Sequence, residues 1–332
     1  KLTLWWGKID NNNKQSNKNI MKYQKTLAVL AGLTFAGALS QAQIAVGDNL
    51  TISGFVDASY SDVEAGTAGA DDATGINVDE VEIDFAFSFD AVSAEVHLES
   101  KGDTVALEQA FVSTDLGGIT VSAGRMLNLL GFEADEPTGL LTYSNAYSDA
   151  FNPGSRYNDG FRGAFSQGDL SVAASITDGY TSDPRPVTGN DAGELAFDIA
   201  LTYAGIENLS LSLGYADNSG DTAATDLQIT NVHASYSLGQ LTIGGEYSDW
   251  EVGTAESDAY LLLANYAVND DLSITVRHSE VDHDADGATV GGVVTSPYDE
   301  ETTTVAVGYT VTDNLSTIIE YSNGEIGTED NN

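Results

Sequence analysis

The sequence predicts an all-β protein, a transmembrane antiparallel up-and-down β-barrel, on three observations. From residue 48 onward, apolar residues recur at every second position in fifteen successive segments, the period of an extended strand. The connections between these segments alternate between tight turns and longer, acidic, glycine-rich stretches. Finally, 34 Gly, 15 Tyr and 11 Phe against 5 Pro suit many short strands with glycine turns and aromatic ends.

The alternation is plain in each segment. Val81, Ile83, Phe85, Phe87 and Phe89 share one face, and Glu80, Glu82, Asp84, Ala86 and Ser88 the other. Leu195, Phe197, Ile199, Leu201 and Tyr203 stand against Glu194, Ala196, Asp198, Ala200 and Thr202. The same two-residue repeat runs through Leu209 to Tyr215, Leu241 to Tyr247, Tyr260 to Val268, Leu272 to Val276, Val305 to Tyr309 and Leu315 to Tyr321.

A soluble sandwich alternates as well, but its apolar faces meet in a core and its connections vary in length. Here, short turns at Asp90, Asp115, Gln167, Gly205, Gly239, Asn269 and Thr312 alternate with mostly longer loops, the arrangement of an outer-membrane barrel. Tyr60, Tyr180, Tyr215, Tyr247, Trp250 and Tyr321 close strands beside loops, where aromatics form an interfacial girdle or serve as ordinary strand formers. Such barrels have even strand numbers. Fifteen upward and downward strands therefore imply a sixteenth, downward one, so the sequence reads as a barrel whose last strand is truncated.

Three regions follow from composition. Met21 opens a segment with Lys22, Lys25 and an apolar run from Leu27 to Leu39, then Ser40-Gln41-Ala42, the pattern of a signal peptide over 21–42 cleaved after Ala42. The apolar run is well short of the ~20 residues a spanning helix needs. Residues 1–20, polar and rich in Asn and Lys, read as translated upstream sequence, and 43–332 as the barrel domain.

Charge bounds the partners. The chain carries 51 acidic and 12 basic residues, a formal charge of −39; six of the twelve basic residues, but only Asp10 among the acids, precede residue 43. Such a surface repels nucleic acid and gathers cations. With no cysteine there is neither a disulfide framework nor a thiolate metal site.

The stretch from Glu108 to Tyr180 contains LEQAFVSTDLGGITVSAGRM, LLGFEADEP and YSNAYSDAFNPGSRYNDGFRGAFSQGDLSVAASITDGY. It resembles the OmpL-like β-barrel porins and, more loosely, the general bacterial porins. The likeness implies an outer-membrane diffusion channel for small hydrophilic solutes or ions, set among lipid and lipopolysaccharide and assembled as a homotrimer. It also implies that the third long loop, residues 126–159, folds inward and narrows the pore. The alternative reading is a non-conducting barrel, an adhesin or surface structural protein.

The charges around that loop are the candidate site. Arg125, Arg156 and Arg162 face Glu133, Asp135, Glu136 and Asp149 as a pore constriction, where opposed signs would set a field across the passage; the bland alternative is local pairing. Strand parity turns Arg162 to the lumen and Arg125 toward lipid unless a bulge intervenes. Asp57, Glu80, Glu82, Asp84, Glu95, Glu99, Asp198, Glu246 and Glu320 are expected on the lumen wall, favouring cations. Asp282, Asp284 and Asp286, followed by Gly287, begin a calcium loop whose twelfth position is Val293 instead of a glutamate; a plain acidic extracellular loop is the competing reading. No other cofactor is implied. For enzyme chemistry, Arg277-His278-Ser279 offers adjacent His and Ser, which in a strand face opposite sides, so no catalytic dyad is expected.

Overall fold

The computed structural model describes residues 2–4, 43–63, 73–146, 156–179, 195–218, 227–252, 255–285, 289–290, 293–294 and 298–327. The export segment, Asp149, Tyr180 and Asp286 lie outside them. Two short strands come first, β1 (Leu2–Leu4) and β2 (Ile44–Val46). Then follow β3 (Leu50–Val63), β4 (Ala73–Ser88), β5 (Val92–Ser100), β6 (Ala106–Asp115), β7 (Ile119–Leu127), β8 (Tyr157–Gln167), β9 (Leu170–Thr177) and β10 (Ala196–Ile206). The series continues with β11 (Leu209–Asn218), β12 (Leu227–Leu238), β13 (Leu241–Val252), β14 (Ala255–Ala267) and β15 (Leu272–Ala285). A two-residue pair, β16 (Thr289–Val290) and β17 (Val293–Val294), stands apart before β18 (Tyr298–Thr312) and β19 (Leu315–Gly327).

From β3 to β19 each long strand pairs antiparallel with the next, β15 joining β18 directly, which makes fifteen long strands as the alternation predicts. The two outermost, β3 and β19, do not pair with each other. Between them lies β1, antiparallel to both, with Leu2 opposite Ile319 on one side and Tyr60 on the other. With β2, it brings the sheet to seventeen strands, and it comes from the segment that composition sets apart from the barrel. Next to the first turn, β2 adds a second short pairing along β3.

The narrow turns lie on one rim. Asn208, Gly168 and Gly239 take left-handed φ of 63°, 61° and 60° in two-residue connections, the conformation that closes a tight hairpin in register with strand twist.

The two faces of the sheet are inverted relative to a soluble protein. Leu213, Val232, Ile243, Leu262, Val276, Val305 and Ile319 are exposed on the outside, whereas Ser212, Asn231, Ser248, Thr275 and Thr304 are buried inside. Hydrocarbon favours the first set, and the second hydrogen-bonds across the inner wall. Above the apolar band, Asp249, Asp258, Asp282 and Asp299 stand directly opposite one another across four strands. Like charges so placed repel unless water screens them, which puts this row at the rim.

Two expectations fail on strand parity. Trp250 is not part of an outer girdle: it shares the inward face of Ser248 and Glu246 and is buried against Leu130, while Tyr60, Tyr247 and Tyr321 are exposed. Asp282 and Asp284 do not form a calcium loop either. Both belong to the regular strand β15, whose pleat projects alternate side chains outward in parallel, ~6.6 Å apart along the chain, instead of converging them on one ion.

Candidate functional site

The connection between β7 and β8 leaves its root and crosses the lumen. Its neck is closed by the amide of Asn128, which donates to the carbonyl of Arg156 at 2.6 Å, and Asn128 Oδ1 receives the amide of Leu130 at 3.1 Å. The chain then runs along the wall formed by β10 to β15. Leu130 packs with Ala196, Ala216, Leu227, Ile229 and Trp250; Phe132 packs with Ala146, Ala259, Leu261, Leu263 and Val281. These two side chains fit over glycines, since a Cβ at Gly214 would collide with Leu130 and one at Gly244 with the ring of Phe132. Gly244→Leu is therefore expected to displace this part of the loop and raise single-channel conductance; an unchanged conductance would show that the seat of Phe132 does not shape the passage.

Inside a sheet whose backbone groups are already paired, a loop backbone needs side-chain partners. Carboxylates of the wall supply them. Asp198 Oδ2 accepts from the Leu129 amide at 3.1 Å, Glu246 Oε1 from the Phe132 amide at 3.1 Å, and Glu320 Oε2 from the amides of Tyr143 and Ser144 at 2.7 and 3.1 Å. Three carboxylates expected to line the channel thus staple the loop to the wall.

Arg277, on β15, is the strongest fastening. Its guanidinium, 2% exposed, donates through Nη1 to Glu133 Oε1 at 2.9 Å, Thr142 Oγ1 at 3.0 Å and the Ser144 carbonyl at 2.6 Å, and through Nη2 to Ser144 Oγ at 2.9 Å. Glu133 in turn accepts the Ala146 amide through Oε2 at 2.6 Å. One arginine thereby gathers residues 133, 142 and 144 at a single point. Sequence reading passed over it as part of a failed catalytic dyad. Its signal was the same parity that placed Arg162: with Thr275 and Ser279 it belongs to the buried face.

The other expected site residues divide. Arg162 faces inward and holds the root of the loop, donating to Ser175 Oγ at 2.9 Å and to the Leu127 carbonyl at 2.5 Å. Arg156 pairs with Asp135 within the loop, and the Tyr157 hydroxyl also donates to Asp135. Arg125 is a correction: it stands on the outer face, opposite Asp159, and grips both its carboxylate oxygens at 2.8 and 3.2 Å. It shares that face with Val121 and Phe161, so it does not line the constriction. The field between opposed charges is corrected with it, because Glu133 and Asp135 neutralise arginines at contact distance and do not confront them across water.

The wall of β3 to β6 is different. Asp57, Glu80, Glu82 and Asp84 are buried on its inner face, Glu95 and Glu99 half-buried, and Glu108 joins them from β6. Their basic company is Lys101, which pairs with Glu80 at 3.3 Å and with Glu99, and His97, whose Nδ1 lies 3.2 Å from Glu82. Glu136, on the loop, returns to this wall; burial, and then its neighbours Glu82 and Glu108, push its carboxyl up to about 12. His278 and Ser279 face opposite sides of β15, the former exposed enough to meet Thr303 and the latter buried, as parity requires.

Known structures share this architecture. An anion-selective porin from Comamonas acidovorans superposes with a TM-score of 0.63 at 14% identity, over 83% of this chain and 89% of that one. The outer-membrane channel DcaP of Acinetobacter baumannii gives 0.61 at 14% identity over 85% and 93%, and the outer-membrane OmpT of Vibrio cholerae 0.60 at 13% identity over 86% and 90%. At such identities the likeness is one of fold. No curated protein matches by sequence. A family model described as "Gram-negative porin" does match, over residues 26–331, and with its inverted sheet and inward-folded third loop this chain belongs to the Gram-negative porin family, as a β-barrel channel of the outer membrane.

Proposed function

We propose that the channel passes small hydrophilic solutes or ions down their gradients, with a preference for cations. The observation that carries this is the asymmetry of the lumen: the third loop takes its arginine clamp and its carboxylate staples from β10 to β19, while the wall of β3 to β6 presents at least seven carboxylates with, among the described residues, only Lys101 and His97 as basic groups. A narrow, low-dielectric passage beside such a wall concentrates cations. Fold alone does not set the sign of selectivity, since the Comamonas acidovorans structure of the same fold is an anion-selective porin. The reversal potential across a planar bilayer in a salt gradient decides. Cation preference is expected, and neutralising Asp57, Glu95 and Glu99 together should reduce it; an anion preference in the unaltered protein would reject the reading.

A homotrimer suits the outer surface. β5, β6 and β7 span only 9, 10 and 9 residues, against 16 for β4 and 15 for β18, and the charged pair Arg125–Asp159 stands on the outside beside them. A low wall carrying an ion pair is better covered by protein than by hydrocarbon. One structural neighbour, OmpT of Vibrio cholerae, has been solved in a trimer form. The remaining outer surface would contact lipid and, along the acidic row, lipopolysaccharide. Residues 21–42 would direct export, leaving Gln43 as the first residue of the mature chain.

A further inference from the structure

Three carboxyl groups converge where the third loop meets β4 and β6. Glu80, Glu108 and Glu136 each offer an oxygen, and these atoms lie within 4.8 Å of one another. Glu80 and Glu108 are 5% and 4% exposed. Neither oxygen of Glu108 has a hydrogen-bond partner, nor has Glu80 Oε1 or Glu136 Oε2. Nearby donors serve other oxygens: Arg156 donates to Asp135, the hydroxyl of Tyr157 to Asp135 and, at 3.4 Å, to Glu136 Oε1, and Lys101 to Glu99 and the other oxygen of Glu80. Burying an ionised carboxylate without a partner is among the most expensive things a fold can do.

The backbone aims Glu108 at this point. His97 pairs with Gln109 and Leu98 with Leu107, so Glu108 is the extra residue of a β-bulge and turns inward beside Gln109. In regular register, 107 and 109 would face inward and 108 outward. A device of local strand geometry thus places an unpartnered, buried carboxylate between two others.

Oxygen-only, anionic ligands on two rigid strands and one loop suit a hard divalent cation. Calcium binds six to eight oxygens at about 2.3–2.6 Å, so two ligands of one ion stand up to roughly 5 Å apart, which this cluster meets. We propose that Glu80, Glu108 and Glu136 bind a calcium ion that fastens the third loop to the β4–β6 wall, on the side opposite the Arg277 clamp. Water and second carboxylate oxygens would complete the shell, and Glu82 would border it. Binding stands on this geometry alone; its effect on conductance rests on the channel reading.

The test uses the full-length protein in detergent, stripped with EGTA, and calorimetric titration with calcium chloride. Saturable binding of one ion per chain is expected, with Kd on the order of 0.1–1 mM. E108Q and E136Q should each weaken it by about tenfold or more, whereas E325Q, on the outer acidic surface, should not. E136Q lies on the loop and leaves the strands unaltered, so it keeps the test valid if E108Q fails to assemble. In bilayers, replacing calcium with EGTA should alter the conductance of the unaltered protein and not that of E136Q. Absence of saturable binding, binding of zinc through His97 in place of calcium, or E136Q binding like the unaltered protein would overturn the site and leave carboxyls that share protons. Calcium bound with no conductance under any condition would support the site and fail the channel reading instead.

Discussion

Replacing Arg277 with methionine should release the third loop and enlarge the pore. Methionine preserves most of the volume but removes the positive charge and every donor, leaving Glu133 buried without its counter-ion and the Ser144 carbonyl with the Thr142 hydroxyl alone. Breaking a buried pair from one side costs roughly 3–5 kcal/mol. At tenfold per ~1.4 kcal/mol, the ratio of docked to undocked loop should fall by about two to three orders of magnitude. Single-channel recordings should show a larger, noisier conductance than the unaltered protein. Removing both charges with R277M/E133M should recover much of the lost attachment, because an apolar pair of similar size needs no counter-charge. Conductance indistinguishable from the unaltered channel in R277M would mean that this clamp does not define the passage.

Leu213→Arg should be among the most damaging single changes to the barrel itself. Leu213 lies mid-strand on the outer face, 52% exposed, between Leu201 and Val232. An arginine there meets hydrocarbon, at a cost of about 2–4 kcal/mol at the bilayer midplane. Leu238→Arg has the same outward orientation, but Leu238 ends β12 beside the 239–240 turn, where the cost falls to about 0–1 kcal/mol. Folding into lipid vesicles followed by denaturant titration compares the two. Equal costs would contradict the inverted placement of apolar residues and the depth assigned to them.

The strand ladder was legible because its cause is local. Whether a residue faces in or out follows from counting by two, and fifteen strands, the position of the long third connection, and the inward direction of Glu80, Glu82, Asp198, Glu246, Glu320 and Arg162 all follow from it. The same rule sends Trp250 inward, and it already turned Arg125 toward lipid before that residue was placed in the constriction. Both errors came from letting a preferred role, girdle or constriction, override parity. Glu108 marks the opposite limit, since a bulge breaks the count at a place the sequence does not announce.

The sequence by itself determined the architecture and the acidic character of the wall, because alternation and composition are properties of neighbours along the chain. Only the tertiary structure decided which carboxylates do what. Asp198, Glu246 and Glu320 receive loop amides, Glu133 receives Arg277 from 144 residues away, and Glu80 and Glu108 meet Glu136 of the loop. Those partnerships depend on the path of one long loop through the interior of the barrel. That path is set by apolar side chains seated over Gly214 and Gly244 and by wall carboxylates that satisfy otherwise orphaned amides, contacts that exist only once the sheet has curved around them.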